Sequence, residues 1–356
     1  MSTSPFDADR PPEEPRRRRR GGGDGKRRGD PNATVPDADF TSYYGRPVVK
    51  PAPWKATIPA YIFLGGLAAG SGLIGAGAHL TGRRTLRRHS RIGALAAVAM
   101  GAAALVEDLG RPERAINMMR TVKLTSPMSV GSWILAGFSG FTGGALGLEL
   151  LRSRVPASGV AGKALAVADP VASAGAAFFA PPLAAYTAVL LADTATPLWH
   201  ESYREMPFLF VASATAAGAG LSQITAPTSE TGPVRALAVM GAAADLASDW
   251  LLERRLGEEQ GRPLKEGRAH TLHTAARVLT AAGALGTLLT GRHRAGAAIS
   301  GLALLAGSAC TRFALFDAGM ASARDPQYTM RAQRQRVDSA RAAGRGITQP
   351  GGEWPE

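Results

Sequence analysis

The sequence predicts an all-α integral membrane protein, a bundle of eight transmembrane helices with disordered polar tails at both ends. Three observations carry that prediction. Long apolar runs rich in Ala, Gly and Leu recur through the middle of the 356-residue chain, and most approach the roughly 20 residues that cross a bilayer core. The runs do not alternate with polar residues, as half-buried strands would. Most charge lies in the tails and in short clusters between runs, so the near-zero mean hydropathy averages two unlike kinds of sequence.

Residues 1–57 form the first region. The stretch PPEEPRRRRRGGGDGKRRGDP is Pro, Gly and charge, with almost nothing to bury, and reads as a disordered basic tail. Its arginine pairs are not followed by an apolar h-region, which rejects a twin-arginine export signal. The spans then follow at about 58–80, 92–106, 129–150, 170–192, 207–225, 233–252, 271–290 and 295–316. The second is short, so its polar end, Glu107-Asp108, enters the interface. Pro181 and Pro182 in the fourth predict a kink, because proline removes a donor and crowds the preceding turn. Together the spans make a membrane domain over 58–320, and 321–356 returns to polar, Arg-rich sequence.

Composition excludes several classes. A single cysteine, Cys310, rules out a disulfide framework, a structural zinc site and a cysteine-ligated iron–sulfur cluster within the chain. The net charge of +13 raises nucleic acid as a partner, but the basic residues sit where membrane anchoring puts them and no base-stacking motif accompanies them. The segment Gly70-Ser71-Gly72-Leu73-Ile74-Gly75 matches a dinucleotide fingerprint but lies inside a continuous apolar run, without the strand such a site requires. Gly66-x-x-x-Gly70 and Ser71-x-x-x-Gly75 are instead small-xxx-small patterns for close helix packing. The histidines are interfacial or in loops, so no bis-histidine haem site is expected.

An even number of spans puts both tails on one side of the membrane. Glu107, Asp108, Arg111, Asp193, His200, Asp249, His270 and His273 fall on that side, as do Arg312 and Asp317 at the end of the eighth span, whereas the other carries simple basic clusters such as Arg83, Arg84, Arg87 and Arg88. The Arg-rich N-terminal tail places the tail side in the cytoplasm, since basic residues beside a first span resist translocation.

Residues 107–137, EDLGRPERAINMMRTVKLTSPMSVGSWILAG, carry a resemblance. DLGRP followed by SPMS-x-GSW resembles the NrfD family, the membrane subunits of polysulfide reductase. YIFLGGLAAG from Tyr61, YTAVLLADTATPLWH from Tyr186 and RFALFDAGMASARDPQY from Arg312 are similar to its first span, its fourth span with its exit, and its end. The resemblance extends over about 43–335. It implies an eight-helix subunit without haem that binds a quinone or menaquinone as substrate. Such a subunit exchanges electrons with a ferredoxin-like iron–sulfur subunit, which serves a molybdopterin oxidoreductase. The chain would then be part of an enzyme complex rather than an enzyme alone.

Quinol oxidation needs proton acceptors, hydrogen-bond donors to the quinone carbonyls and an apolar slot. The candidate acid–base residues are Asp108, Tyr186, Asp193 and Asp245. The candidate quinone-binding residues are Tyr61, Arg111, Ser129 and Trp133. Each has a plain structural reading beside the functional one. Asp108 and Arg111 form a turn ion pair, Ser129 caps the third span, and Trp133 is an interfacial belt residue. Tyr186 packs on the proline pair and Asp193 is solvated. Asp245 and Asp249 are an i, i+4 pair, with Arg277 of the next span the expected partner of Asp249. A charge at the depth of Asp245 is expensive and is usually paired or functional. A proton or ion transporter using Asp245 and Arg277 is therefore the second reading, although no internal repeat supports it.

Overall fold

Lipid offers no hydrogen-bond partners, so an apolar run must close its own backbone hydrogen bonds as a helix. The computed structural model describes residues 47–108, 113, 117, 119, 120, 122–156 and 158–330. Residues 1–46 and 331–356 of the two tails, and Arg111, lie outside this set of described residues. Among them are nine α-helices and no strand: α1 Thr57–Leu80, α2 Arg84–Asp108, α3 Pro127–Arg152, α4 Val160–Ala192, a short α5 Pro197–Glu201, α6 Met206–Thr225, α7 Gly232–Gln260, α8 Gly267–Thr290 and α9 Arg294–Arg324. The eight long ones match the eight expected apolar runs. Seven are long and apolar enough to cross a membrane. The exception is α7, whose apolar stretch is interrupted by Asp245 and Asp249.

Helix bounds depart from expectation where charge is buried. α2 begins at Arg84 rather than about 92, and α4 at Val160 rather than about 170. Paired charges occupy these added turns, which no apolar run could reveal. α4 continues through Pro170, Pro181 and Pro182. α7 carries a true backbone break at Gly257, where φ is 64°, a conformation that costs a glycine little. Pro127 opens α3, and the cap is Ser126, whose Oγ accepts from the Ser129 amide at 3.5 Å. Ser129 is thus inside the first turn and is not the cap. Proline at the first helical position fixes this start, since its missing N–H would be unpaired there anyway.

α1 and α6 form the centre of the bundle. α1 packs on α2, α4 and α6, and α9 packs on α6 and α8. Small residues set the contact between α1 and α6. A Cβ on Gly70 would strike the Ala214 carbonyl, and one on Gly218 would meet the backbone of Gly70 and Ser71. Gly66 faces Ala214 on the same side, while Gly75 faces Ser90 and Arg91 of α2. The two small-residue patterns of α1 therefore serve different neighbours.

Polar side chains finish the helix ends. Arg294 donates to the Gln223, Ile224 and Ala226 carbonyls at the end of α6. These are orphan acceptors at a helix C-terminus, where a cation is favoured. At the start of α2, the Glu230 carboxylate accepts from the Leu86 amide at 2.7 Å and the Thr85 amide at 3.4 Å. Burial works to raise the Glu230 carboxyl, but the Leu86 and Thr85 hydrogen bonds outweigh it and hold the group below its ordinary 4.5. Its contribution is therefore complete at neutral pH and is lost as pH falls through the depressed folded value. Glu230→Gln is expected to cost about 1 kcal/mol, as loss of a helix cap does. It should also flatten the acid limb of stability between pH 5 and pH 3, measured by thermal unfolding in detergent; an unchanged acid limb would show that Glu230 does not cap α2.

Candidate functional site

One apolar cavity lies at the end of the bundle where α1 and α3 begin and α2 and α4 finish. Its volume is about 320 Å³, within the range of roughly 300–1,000 Å³ typical of small-molecule sites. Ile58, Ile62, Leu135, Leu190 and Leu191 make apolar walls, and Tyr61, Asp108, Ser132, Tyr186 and Thr187 supply polar groups. Trp54, just before α1, closes one side. It also lines a larger, more polar pocket of about 710 Å³ formed with the start of α8 and the end of α9.

Each polar wall is positioned by its own helix. Tyr61 is buried in the first turns of α1. Tyr186 lies against α3 at Gly131, where any Cβ would overlap the tyrosine ring. The glycine of SPMS-x-GSW therefore makes room for a ring from α4. Asp108 ends α2, and its Oδ1 accepts from the Thr57 hydroxyl at 3.1 Å and the Lys55 amide at 3.4 Å. Asp108 thus ties the start of α1 to the end of α2 while facing the cavity. Trp54 stacks on Trp199 with centroids 5.9 Å apart and on Phe316 at 6.5 Å. Trp199 is fully buried and donates from Nε1 to the Leu315 carbonyl at 2.8 Å.

The structure brings Tyr61, Asp108 and Tyr186 together around this cavity and leaves the other expected residues apart. Ser129 does not line it, and its Oγ accepts from the Lys123 amide at 3.0 Å. Trp133 turns outward and is 40% exposed. Asp193 is exposed at the end of α4. Ser132 and Trp54 line the cavity although the sequence did not single them out. Ser132 sits between two named residues, and its place one helical turn after Met128, a fellow lining residue, was the available signal.

Asp245 belongs to a separate buried group. Its Oδ2 accepts from Thr280 at 3.4 Å, while Oδ1 has no partner among the described residues. Arg312, within electrostatic reach of Asp245, donates from Nη2 to the Phe210 carbonyl at 2.7 Å and packs over the Phe210 ring. Its Nε and Nη1 are buried without a partner among the described residues. The sequence placed Arg312 at a span end, but α9 runs twelve residues further and buries it beside Gly66 of α1. One turn on from Asp245, Asp249 accepts from His273 Nε2 at 2.7 Å and Arg277 Nε at 2.5 Å, and Arg277 also reaches Glu253 at 2.6 Å.

At the opposite end of the bundle Arg87 of the basic cluster joins a network of buried charge centred on Arg91. Arg91 is 4% exposed and donates to Asp169, Glu149 and Ser173 at 2.6–2.7 Å. Asp169, 1% exposed, also accepts from Arg152 at 3.1 Å. Pairing is what makes buried charge tolerable in an apolar bundle.

An all-helical bundle of apolar spans, with an apolar cavity at one end edged by two phenols and a carboxylate, defines a multi-pass membrane protein. A family model, that of polysulphide reductase, NrfD, matches residues 48–229. The chain belongs to the NrfD family, the membrane subunits of polysulphide-reductase-type oxidoreductase complexes. The matched segment contains every residue named in the cavity wall; α7, α8 and α9 lie beyond it. No curated protein sequence matches the chain significantly.

Proposed function

We propose that the chain is the quinone-binding membrane subunit of an electron-transfer complex. It would exchange electrons between the quinone or menaquinone pool and a ferredoxin-like iron–sulfur subunit of a molybdopterin oxidoreductase. The observation that carries this reading is the convergence of Tyr61, Asp108 and Tyr186, from three helices, on one apolar cavity. A quinone headgroup is a flat apolar ring with two carbonyl acceptors. The leucine and isoleucine walls suit the ring, and the tyrosine and Ser132 hydroxyls suit the carbonyls.

Oxidation of a quinol to a quinone releases two protons and two electrons. Asp108 is the base within the cavity: it takes the two quinol protons one after the other, passing each to water at the end of the bundle before the next transfer. The phenols of Tyr61 and Tyr186 orient the ring and hydrogen-bond the carbonyls as they form. One cysteine cannot hold a cluster, so the electrons pass to the partner. In the reverse direction the same groups return protons. With eight crossings, α7 included, both termini lie on one side. Trp54 and Asp325 do line one pocket, and the Arg-rich N-terminal tail favours the cytoplasm for that side.

One observation favours a second reading, proton or ion movement through Asp245 and Arg277: buried atoms of Asp245 and Arg312 without a partner among the described residues call for water or a moving proton. This group does not line the cavity, so the two readings separate. Purification from native membranes is expected to retain a quinone extractable by organic solvent. Ser132→Trp, which fills the cavity, should reduce the retained quinone at least tenfold, while Asp245→Asn should not. Quinone lost with Asp245→Asn and kept with Ser132→Trp would refute the first reading.

A further inference from the structure

The end of the bundle opposite the apolar cavity carries an open pocket of about 830 Å³ between the start of α2 and the end of α3. Four arginines line it, Arg84, Arg87, Arg88 and Arg152, against two carboxylates, Glu149 and Asp169. Both carboxylates are already engaged. Glu149 pairs with Arg87 at 3.0 Å and Arg91 at 2.7 Å, and Asp169 pairs with Arg91 at 2.7 Å and Arg152 at 3.1 Å. No carboxylate among the described residues pairs with Arg84 or Arg88, and the buried Nε of Arg87 has no hydrogen-bond partner there. The positive charge of the pocket is therefore only partly neutralised from within.

The rim has a different character. Ile92 and Leu150 line the same pocket and are 44% and 42% exposed. On α2 the exposed Met100 follows about two turns beyond Ile92. A cationic floor that opens onto an apolar wall, where helices leave the hydrocarbon, matches a lipid with an anionic head. A free anion would need the floor but not the rim.

We propose that this pocket binds the phosphodiester headgroup of an anionic phospholipid, with Arg84, Arg87 and Arg88 as its donors and Ile92 and Leu150 flanking the first carbons of its acyl chains. The buried Arg91–Asp169 pair, joined by Arg152, holds the floor in place. Guanidinium groups suit the task because each can offer two parallel donors to phosphate oxygens.

The test is native mass spectrometry of the full chain in mild detergent, equilibrated with phosphatidylglycerol, cardiolipin or phosphatidylcholine. The wild type is expected to retain one anionic lipid in preference to phosphatidylcholine. Arg84→Ala with Arg88→Ala should weaken that retention about 30-fold, the order expected for two basic contacts to an anionic surface. Arg88→Gln alone should weaken it about 5-fold, so the result does not depend on the double variant folding. Arg254→Ala with Arg292→Ala removes the same charge elsewhere and should leave retention unchanged. Equal retention of phosphatidylcholine, an unchanged double variant, or an equal loss in the remote pair would overturn the proposal. So would complete displacement of the lipid by millimolar inorganic phosphate, which would make the pocket a site for the free anion.

Discussion

Replacing Asp108 with asparagine is expected to lower quinol-linked turnover of the assembled complex at least a hundredfold. General-base catalysis contributes roughly 10²–10⁴ in rate, and Asp108 is the carboxylate of the cavity. The substitution is chosen because Asp108 has two roles. Its Oδ1 also accepts from the Thr57 hydroxyl and the Lys55 amide, so alanine would loosen the start of α1 as well as remove the base. Asparagine keeps an acceptor oxygen for Thr57 and loses only basicity. Thr57→Val does the reverse, and should reduce turnover by no more than a few fold. Steady-state quinol oxidation in native membranes, with retained quinone measured alongside, separates the outcomes. Turnover of Asp108→Asn within threefold of the wild type would remove Asp108 from the chemistry and leave it an anchor of α1.

The second large effect is structural. Gly70→Val is expected to abolish accumulation of the folded protein. Its Cβ would overlap the Ala214 carbonyl on α6, and the neighbouring atoms are backbone rather than flexible side chain. Overpacking of this kind costs about 1–3 kcal/mol and more where backbone must move. α1 and α6 are the two most buried candidate spans, so a displacement there reaches α2, α4 and α9. Gly65→Ala is the matched control. No atom of a neighbouring helix lies within 4 Å of the added Cβ, and alanine is the better helix former by about 1 kcal/mol. Size-exclusion profiles in detergent should be lost for Gly70→Val and unchanged or improved for Gly65→Ala. A monodisperse Gly70→Val protein of wild-type melting temperature would refute close α1–α6 packing.

Much of this arrangement is legible in the sequence because membranes impose so few solutions. Apolar length places the helices, the DLGRP segment picks out Asp108, and the YTAVLLADTATPLWH segment picks out Tyr186 before any contact is known. Paired charge is where reading by apolarity fails. Arg91 and Asp169 stand 78 positions apart at the edges of α2 and α4, where each resembles loop sequence. Only their meeting makes both burials tolerable. Arg87 and Arg91 at i, i+4, with Glu149 and Asp169 at the ends of the next two runs, was the signal available. Arg312 escaped for a related reason. The eighth apolar run ends at residue 316, which puts Arg312 at a span end, whereas α9 extends to Arg324. Ser129 looks like a cap if Pro127 stands before the helix, whereas proline in the first turn starts it and moves the cap to Ser126.

The ring stack at Trp54 gives the cavity an optical handle. Indoles 5.9 Å apart and inclined by 27° couple their excited states, so Trp54 and Trp199 should share a signature in near-ultraviolet circular dichroism. Trp54 is also a wall of the cavity, within reach of any electron-accepting ring that enters it. Such a ring quenches indole emission. Titrating a soluble quinone against intrinsic fluorescence would then report occupancy of the isolated chain directly, without the partner subunits or an electron acceptor in the cuvette.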